Sequence, residues 1–315
     1  MKKIITIGEI VVEIMAVETG YGFKSAIPLI GPFASGAPAI FIDQAAKLGQ
    51  PCGLVSAVGN DDFGRLNIER LQNDGVDVSA IGIHPTAATG SAFVRYRPDG
   101  NRDFIFNIKH SACSAIGLTP EAERLVEGAD HLHIMGSALF SDSIVAAIRD
   151  ATARIKAKGG TVSFDPNIRK EMLDLPGMRE ALVHVLENTD LFMPSGPEIF
   201  LFAKATEERA AVDELLARGI KAVVVKRGAE GASYFDRNGE VFAPAFKVDE
   251  VDPTGAGDSF GAAFVTFWLR GMAPKEALTF ANATGARAVG VKGPMEGTST
   301  MAEIQTFLEK HGAQA

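Results

Sequence analysis

Cysteine is scarce in this chain of 315 residues: Cys52 and Cys113 lie far apart, and no Cys-x-x-Cys pattern occurs. We therefore expect two free thiols rather than a disulfide or a metal site. Apolar runs of about 18 residues, the length that a membrane-spanning helix requires, are also lacking. The apolar run after the N-terminal Met-Lys-Lys is interrupted at Glu9 and Glu13, too early for a signal peptide. These absences predict a cytoplasmic protein.

An excess of basic residues is lacking as well, since the net charge is −8 and the isoelectric point is near 5.4. Nucleic-acid binding needs a concentrated basic surface, so this class of function is disfavoured. A substrate such as ATP remains compatible, because backbone amides and a few basic side chains can bind phosphates on an acidic protein. Hydrophobic residues make up 46% of the chain and charged residues 22%, which is typical of a globular protein with a large core.

Short apolar runs of strand length alternate with amphipathic segments through most of the chain. The expected strands are Ile4–Ile7, Gly53–Val58, His131–Met135, Thr161–Asp165, Asp190–Met193 and Ala222–Lys226. The expected helices are Ile40–Leu48, Ser143–Ala157, Met178–Glu187 and Ala211–Arg218. This alternation is typical of βαβ units. It predicts an α/β fold, a three-layer sandwich with a mostly parallel central sheet, in one domain that spans residues 1–315.

One region departs from this alternation. The extended runs Thr89–Tyr96 and Asp103–Ile108 are separated by Arg-Pro-Asp-Gly-Asn-Arg, a strong hairpin turn. With Val11–Met15 they predict a small antiparallel sheet, formed from about residues 11–30 and 89–112, that covers the substrate site as a lid. An edge hairpin of the main sheet is the alternative.

The segment Val-Asp-Pro-Thr-Gly-Ala-Gly-Asp-Ser-Phe at 251–260 is the most informative part of the sequence. A helix is expected directly after the glycines, because an apolar stripe with helical spacing follows: Phe260, Phe264, Phe267 and Trp268. The amides of Gly255–Gly257 would then lie at a helix N-terminus, which favours an anion. Asp258 lies beside them and could take the proton of an attacking alcohol. The arrangement suits phosphoryl transfer.

Other interpretations of this segment are weaker. Asp258 could simply cap the helix while the glycines form a tight turn. No Gly-Lys-Ser/Thr follows the glycines, so the segment is not a P-loop. A dinucleotide-binding fingerprint fits poorly, because it follows an early strand and contains a third glycine.

Several segments resemble, in the same order, the signatures of the ribokinase-like (PfkB) carbohydrate kinases. The matching segments are Ser35–Ala39, Ala45–Gly49, Val58–Gly64, Phe164–Arg169, Pro194–Glu198, Val223–Gly231 and Asp252–Phe260. The overall match to the family runs from about residue 4 to 310 of the chain. The protein is therefore identified as a member of this family, and its overall pattern looks most like a tagatose kinase-like branch. The resemblance implies an ATP-dependent sugar kinase that uses Mg²⁺, with one α/β domain and a β-sheet lid.

The resemblance also implies roles for individual residues. Asp258 would be the base that deprotonates a sugar hydroxyl, and the amides of Gly255, Ala256 and Gly257 would form the anion hole for the γ-phosphate. The positions that match the family's nucleotide and Mg²⁺ sites are Ser195, Glu198, Lys226, Gly228, Gly231, Gly257 and Asn282. A loop that binds potassium in many members matches Asp252, Thr254, Ala288, Val291, Gly293 and Gly297.

The sugar end departs from the family pattern. Ile40 stands where an Asn commonly binds sugar hydroxyls, Ser35-Gly36 replaces Gly-Gly, Ser195 replaces Asn, and Pro253 stands where Thr is common. The candidates for sugar contacts are Glu13, Gly36, Ala37, Ile40, Phe93, Arg95, Phe104, Asn107, Ser137, Arg169 and Asp258.

The identity of the sugar is suggested by Ile108. Ketodeoxygluconate kinases of this family carry Tyr-Tyr-Arg here, and the Arg binds the substrate carboxylate, whereas this chain has Ile108 in its place. An Ile cannot replace a bidentate carboxylate partner. We therefore expect a neutral ketohexose, D-tagatose first and D-fructose second, with 2-keto-3-deoxygluconate or ribose as alternatives.

Histidines and quaternary structure give two further expectations. His131 and His133 share one face of a predicted strand, where polar core residues are favoured over a metal pair because no third ligand stands out. The exposed edges of a lid sheet favour a homodimer.

Alternatives to a sugar kinase are a non-catalytic sugar or nucleotide sensor on the same fold, and a nucleoside or vitamin kinase.

Overall fold

Helices and strands alternate along the chain, which the computed structural model describes at residues 1–99, 102–168 and 177–312. The strands are β1 (Ile4–Ile7), β2 (Val11–Ala16), β3 (Leu29–Ser35), β4 (Cys52–Gly59), β5 (Ile81–His84), β6 (Gly90–Tyr96), β7 (Arg102–Asn107), β8 (His131–Met135), β9 (Thr161–Asp165), β10 (Leu191–Phe192), β11 (Ala222–Lys226), β12 (Gly231–Asp236) and β13 (Gly239–Pro244). The helices are α1 (Ala37–Lys47), α2 (Asp62–Asn73), α3 (Pro120–Glu127), α4 (Asp142–Ala157), α5 (Met178–Glu187), α6 (Glu208–Ala217), α7 (Ala256–Leu269), α8 (Pro274–Val289) and α9 (Met301–Lys310).

Nine of these strands form one large sheet in the order β13-β12-β11-β10-β9-β8-β1-β4-β5. The pairings from β11 through β5 are parallel, and only the β11–β12 and β12–β13 pairings at one edge are antiparallel. The predicted α/β fold with a mostly parallel sheet is therefore confirmed. Among the described helices, none combines the length and apolar character that a bilayer crossing demands.

Both faces of this sheet are buried, as the unbroken apolar strands predict. Ile4 and Leu54 belong to a core that α1, α2, α7, α8 and α9 cover, whereas their chain neighbours Ile5 and Val55 belong to the core under α3, α4, α5 and α6. Successive side chains of a strand point to opposite faces, so each strand contributes to both cores. The result is a three-layer sandwich with the strand ends left open at the edges of the sheet.

A separate four-stranded sheet, in the order β3-β2-β6-β7, stands beside the main sheet, and we call it the lid sheet. The alternative of an edge hairpin on the main sheet is therefore wrong. The expectation of a wholly antiparallel sheet is corrected, because β2 and β6 run parallel while β2–β3 and β6–β7 run antiparallel. Parallel neighbours need a long connection, and β3, α1, β4, α2 and β5 lie between these two strands in the chain.

Two expectations about core residues are confirmed. His131 Nε2 and His133 Nδ1 each lie 2.7 Å from the hydroxyl of Ser163, and burial lowers the pKa of His131 to about 3. Both rings are fully buried and hydrogen-bonded, so they are polar groups of the core. Cys52 and Cys113 are buried free thiols.

Candidate active site

A cavity of about 360 Å³ lies between the lid sheet and the carboxyl ends of the main-sheet strands. Parallel strands commonly place binding residues at this edge. The sequence-predicted site residues that line the cavity are Glu13, Gly36, Ala37, Ile40, Phe104, Ser195, Glu198, Lys226, Thr254, Gly255, Gly257 and Asp258. It is also lined by polar residues for which no role was predicted: Glu9, Arg102, Asp165 and Asn167.

The first turn of α7 forms one end of this cavity. Gly255 is the N-cap of α7 with φ +80°, and a Cβ there would lie 2.3 Å from the carbonyl oxygen of Pro294, so only glycine fits. No described side chain caps the helix, and the first amides of a helix lack partners within the helix. The amides at Gly255–Gly257 therefore suit an anion, as the sequence predicted.

Asp258 lies in this first turn with its carboxylate at the cavity wall. It is not the helix cap, since that position belongs to Gly255. Asn167 Nδ2 donates a hydrogen bond to Asp258 Oδ1 at 3.4 Å, and the amide of Asn167 donates to Asp165 Oδ1 at 3.2 Å. The carboxylate is thus oriented by the loop that follows β9, in a position from which a general base can reach a ligand.

A second group of charged residues lies where β9, β10 and β11 end. Lys226 forms an ion pair with Asp165, and Glu198 accepts hydrogen bonds from the amides of Ile168 at 2.9 Å and Ser195 at 2.7 Å. Burial, and next the negative charge of Asp165, raise the pKa of Glu198. Mg²⁺ prefers carboxylate and water oxygens and few protein ligands, so the carboxylates of Asp165 and Glu198 fit this ion.

Two buried carboxylates form the lid side of the cavity. Glu13 of β2 accepts a hydrogen bond from the Ser35 hydroxyl at 2.9 Å, and Glu9, which follows β1, accepts one from the Ser137 hydroxyl at 3.2 Å. Gly36 has φ +113°, and a Cβ there would lie 2.4 Å from the carbonyl oxygen of Glu9. The close approach brings the start of α1 beside both carboxylates. Carboxylate oxygens accept hydrogen bonds only, which suits the hydroxyls of a sugar.

The remaining wall on the lid side is apolar. Phe104 and Phe106 stack with their ring centroids 5.1 Å apart, and Ile108, just after the end of β7, also lines the cavity. Ile40, which is 2% exposed, closes the wall next to Gly255. The position expected to hold a carboxylate-binding Arg is therefore part of a hydrophobic surface.

Four predicted sugar contacts among the described residues do not line this cavity: Phe93, Arg95, Asn107 and Ser137. Phe93 pairs with Ile105 and Arg95 pairs with Asp103, whereas Phe104 pairs with Val94, so strand alternation places Phe93 and Arg95 on the opposite face of the lid sheet. Asn107 lies on that face too and is exposed. Arg95 and Ser137 line a second cavity of about 1390 Å³. The β7 residues Arg102, Phe104 and Phe106 line both cavities. Arg169 lies outside the described residues.

Three predicted nucleotide contacts lie beside the antiparallel edge of the main sheet, outside the 360 Å³ cavity. Gly228 and Gly231 have φ +53° and +117°, and Gly231 abuts the carbonyl oxygen of Ala243. The side-chain amide of Asn282 donates to the carbonyl oxygens of Ala243 at 3.0 Å and Pro244 at 3.1 Å. In this structure Asn282 thus fastens α8 to the end of β13.

The residues expected to hold potassium come together in two adjoining loops. Asp252 is fully buried, and its carboxylate accepts hydrogen bonds from the amides of Thr254 at 3.0 Å and Gly293 at 3.1 Å. The Val291 amide donates to Ala288 O at 3.3 Å, and a Cβ on Gly297 would lie 2.8 Å from the same oxygen. Carboxylate and carbonyl oxygens are ligands that suit a hard cation, so these residues fit a potassium ion.

The lid sheet touches these loops directly. Arg102 Nη1 of β7 donates to the Thr254 hydroxyl at 2.6 Å, and the Lys292 ammonium lies 5.7 Å from the ring centroid of Tyr96 on β6. Burial, and next the charge of Asp252, raise the pKa of the Tyr96 hydroxyl. Arg102 was not predicted as a site residue because the sequence places it in the hairpin turn, although Arg102, Phe104 and Phe106 alternate as one face of a strand would.

Comparison with known proteins gives consistent results for the whole chain. The family described as pfkB family carbohydrate kinase matches residues 1–301. A 2-dehydro-3-deoxygluconokinase of Thermoproteus tenax is 34% identical, over 98% of this chain and 95% of the relative.

Solved structures extend the comparison to the fold. An E. coli protein provisionally named Ribokinase II is 51% identical with a TM-score of 0.94, over 99% of this chain and 100% of that chain, and it was also solved in complex with ATP and Mg²⁺. A double mutant of Vibrio cholerae fructokinase with fructose, ADP and potassium bound is 26% identical with a TM-score of 0.82, over 98% of both chains.

Proposed function

We propose that this chain, which belongs to the pfkB family of carbohydrate kinases, transfers the γ-phosphoryl group of ATP to a hydroxyl of a small neutral sugar, with D-tagatose as the first candidate and D-fructose as the second. One observation carries the proposal: Asp258, the first turn of α7 and the carboxylates of Glu9 and Glu13 face a single cavity. That cavity combines a base, an anion site and acceptors for sugar hydroxyls.

The reaction assigns one task to each of these groups. The sugar hydroxyl oxygen attacks the γ-phosphorus, an oxygen–phosphorus bond forms, and the bond to the β,γ-bridging oxygen breaks so that ADP leaves. The hydroxyl proton passes to the carboxylate of Asp258, which Asn167 orients. The amides at Gly255–Gly257 stabilise the negative charge on the transferred group.

Two groups of residues would hold metal ions. Asp165 and Glu198 would hold Mg²⁺, through water and the phosphates of ATP, and the E. coli relative was solved with both ATP and Mg²⁺. Bound Mg²⁺ would neutralise phosphate charge. The loops around Asp252 and Gly293 would hold K⁺, an ion that the Vibrio cholerae relative contains.

A neutral sugar is favoured by the charges of the cavity. Glu9 and Glu13 are both buried and line the cavity, so they would repel the carboxylate of a sugar acid. Ile108 adds an apolar contact where an acid would need a cation. Fructose binding by the Vibrio cholerae relative supports a ketohexose, while the Thermoproteus tenax relative supports 2-keto-3-deoxygluconate as the alternative substrate.

A coupled ATP-consumption assay tests this choice. The substrates are D-tagatose, D-fructose, D-ribose, 2-keto-3-deoxygluconate and a set of nucleosides, compared by kcat/KM. The highest value on a ketohexose supports the proposal, and the highest value on the acid or a nucleoside contradicts it. Tight calorimetric binding of a sugar without turnover would indicate a sensor instead.

The lid sheet is also the proposed dimer contact. Its apolar side chains include Leu29, Ile30 and Ile105, which are 44%, 40% and 55% exposed. Exposed apolar edge strands need cover, and a second copy of the chain would provide it. Analytical ultracentrifugation decides this: Ile105→Asp is expected to shift a dimer to a monomer, and a monomeric wild type contradicts the proposal.

A further inference from the structure

Arg102 is a lid residue that reaches the phosphate end of the cavity. It is the first residue of β7, and its Nη1 donates to the Thr254 hydroxyl at 2.6 Å, across 152 residues of sequence. Thr254 directly precedes Gly255, the N-cap of α7. The Arg102 guanidinium therefore binds the residue that precedes the anion site, and it lines the same cavity as that site.

Arg102 differs from the neighbouring basic residues in its hydrogen-bond partner. Arg95 and Arg97 both pair with Asp103 on the outer face of the hairpin, and Lys226 pairs with Asp165. Among the described residues, no carboxylate lies within ion-pair distance of Arg102, whose hydrogen-bond acceptor is a neutral hydroxyl. The ring of Phe104, whose centroid is 5.5 Å from Cζ, supports the guanidinium from the lid side. The lid thus brings a positive charge to the cavity without a carboxylate partner among those residues.

We propose that Arg102 donates hydrogen bonds to the phosphoryl group during its transfer, so that lid closure completes the charge stabilisation that the α7 amides begin. The inference rests on the proposed kinase function. A guanidinium carries five N–H donors in a planar fork, so one can hold Thr254 while others face phosphoryl oxygens. Arg102 forms and breaks no covalent bond in this step. The phosphorus loses its bond to the β,γ-bridging oxygen and gains one to the sugar oxygen, and the hydroxyl proton goes to Asp258.

A substrate carboxylate is the competing anion for Arg102. The carboxylates of Glu9 and Glu13 line the same cavity as Arg102 and would repel a substrate carboxylate, whereas the Thr254 hydroxyl that Arg102 binds belongs to the residue before the anion site. Both facts favour a phosphoryl group over a substrate carboxylate as the ligand of Arg102. If Arg102 binds the phosphoryl group, its removal lowers kcat on a neutral sugar. If it binds a substrate carboxylate, its removal leaves that kcat unchanged.

Steady-state kinetics with the best sugar tests the proposal on three variants. Arg102→Met is expected to lower kcat by about 10- to 100-fold with little change in KM for ATP, because a hydrogen bond to a charged group is lost from the transition state. Arg102→Lys should recover part of kcat. Arg97→Met is the matched control, since Arg97 lies on the same hairpin and pairs with Asp103, and it should behave as wild type. Unchanged kcat on neutral sugars in Arg102→Met would overturn the proposal.

Calorimetric binding provides a readout that does not depend on sugar turnover. Mg²⁺-ADP with aluminium fluoride mimics the phosphoryl group in flight, and Arg102→Met is expected to weaken binding of that mixture by about 10-fold or more while leaving ADP binding unchanged. Equal binding of the mixture by wild type and variant overturns the proposal, even if the sugar screen fails to find a substrate.

Thr254→Val separates charge stabilisation from lid fastening. This variant removes the hydroxyl that Arg102 bonds but keeps the cation. It is expected to lose less than Arg102→Met in both kcat and fluoride-complex binding. Equal losses in both measurements would mean that Arg102 only fastens the lid, and the proposal would then be wrong.

Discussion

The side-chain amide of Asn167 donates a hydrogen bond to Oδ1 of Asp258 at 3.4 Å. Asn167 has φ +40°, and its own backbone amide is bound to the carboxylate of Asp165 at the end of β9. The loop after a central strand therefore orients an acid in the first turn of α7. The position of the proposed base depends on a contact between two segments far apart in the chain.

Asp258→Asn is expected to lower kcat by about 10²- to 10⁴-fold, because the amide cannot accept the sugar proton. Nucleotide binding, measured by calorimetry, should change little, since the α7 amides are retained. Asp142→Asn is the matched control: Asp142 also lies in the first turn of a helix, but it is exposed on α4. Near-normal turnover of Asp258→Asn would remove the residue from its role.

Glu13→Gln is expected to raise KM for the sugar by about 10- to 100-fold, because a hydrogen bond to a charged acceptor becomes a weaker neutral one. KM for ATP should stay close to that of wild type. The Ser35 hydroxyl can still donate to the Gln carbonyl, so the fold should be retained. Glu18→Gln, at an exposed position of the same segment, serves as the control. An unchanged sugar KM would show that Glu13 does not contact the sugar.

Glu198→Gln tests the proposed Mg²⁺ position. Both oxygens of Glu198 accept backbone hydrogen bonds, from Ile168 and Ser195, and an amide nitrogen cannot replace one of them. The variant is expected to need about 10-fold more Mg²⁺ for half-maximal rate, because a charged oxygen near the ion is lost. A magnesium titration of the rate measures this, with exposed Glu230→Gln as control. The same half-saturating concentration in all three proteins would exclude Glu198 from the ion site.

Four strands of the main sheet, β1, β8, β9 and β11, could be predicted to the residue, whereas strand β3 of the lid sheet could not be predicted. Ile4–Ile7 and His131–Met135 are unbroken apolar runs, because parallel strands are buried on both faces. Strand β3, in contrast, contains Gly31 and Pro32, and its sequence is typical of a loop. Pairing with β2 makes it a strand, and this long-range contact leaves no local pattern.

The same distinction applies to the site. Gly255 and Asp258 belong to one local motif, whose helix, turn and anion site follow from adjacent residues. Arg102 was missed because its role depends on contact with Thr254, and because β7 begins one residue earlier than predicted. Phe93 and Arg95 were assigned to the sugar because the side of a lid strand that faces the cavity depends on register, which a one-residue shift reverses.

Gly255→Ala is expected to destabilise the protein and to lower kcat by at least about 10-fold, because the new Cβ would push the Pro294 carbonyl and displace the anion site. Gly49→Ala is the matched control: Gly49 also has a positive φ, +71°, but a Cβ there meets no atom within 4 Å. It should cost ~1 kcal/mol through backbone strain and leave kcat unchanged. Urea denaturation and initial rates measure both effects. Equal kcat in the two variants would contradict the tight fit at Gly255.

A buried carboxylate on α1 lies beside the loop that follows α8. The side chain of Asp43 is fully buried, accepts a hydrogen bond from the Thr298 hydroxyl at 2.7 Å, and lies 3.6 Å from the Arg70 guanidinium. Asp74 and Glu296 also face Arg70 and compete for its charge. Burial raises the pKa of Asp43 to about 7, in spite of the opposing effect of Arg70.

This raised pKa predicts that Asp43 weakens the fold as pH rises. Between about pH 4 and 7 the folded protein holds a proton on Asp43 that the unfolded chain has lost, so the contribution of Asp43 to the unfolding free energy falls by up to ~1.4 kcal/mol per pH unit. Asp43→Asn removes this dependence and should gain stability relative to wild type from pH 5 to pH 7, with a constant difference above pH 8. Urea denaturation at each pH measures the difference, in which the titration of other groups largely cancels. A wild-type-minus-variant difference that stays flat from pH 5 to pH 8 would show that Asp43 is ionised throughout, held so by Arg70.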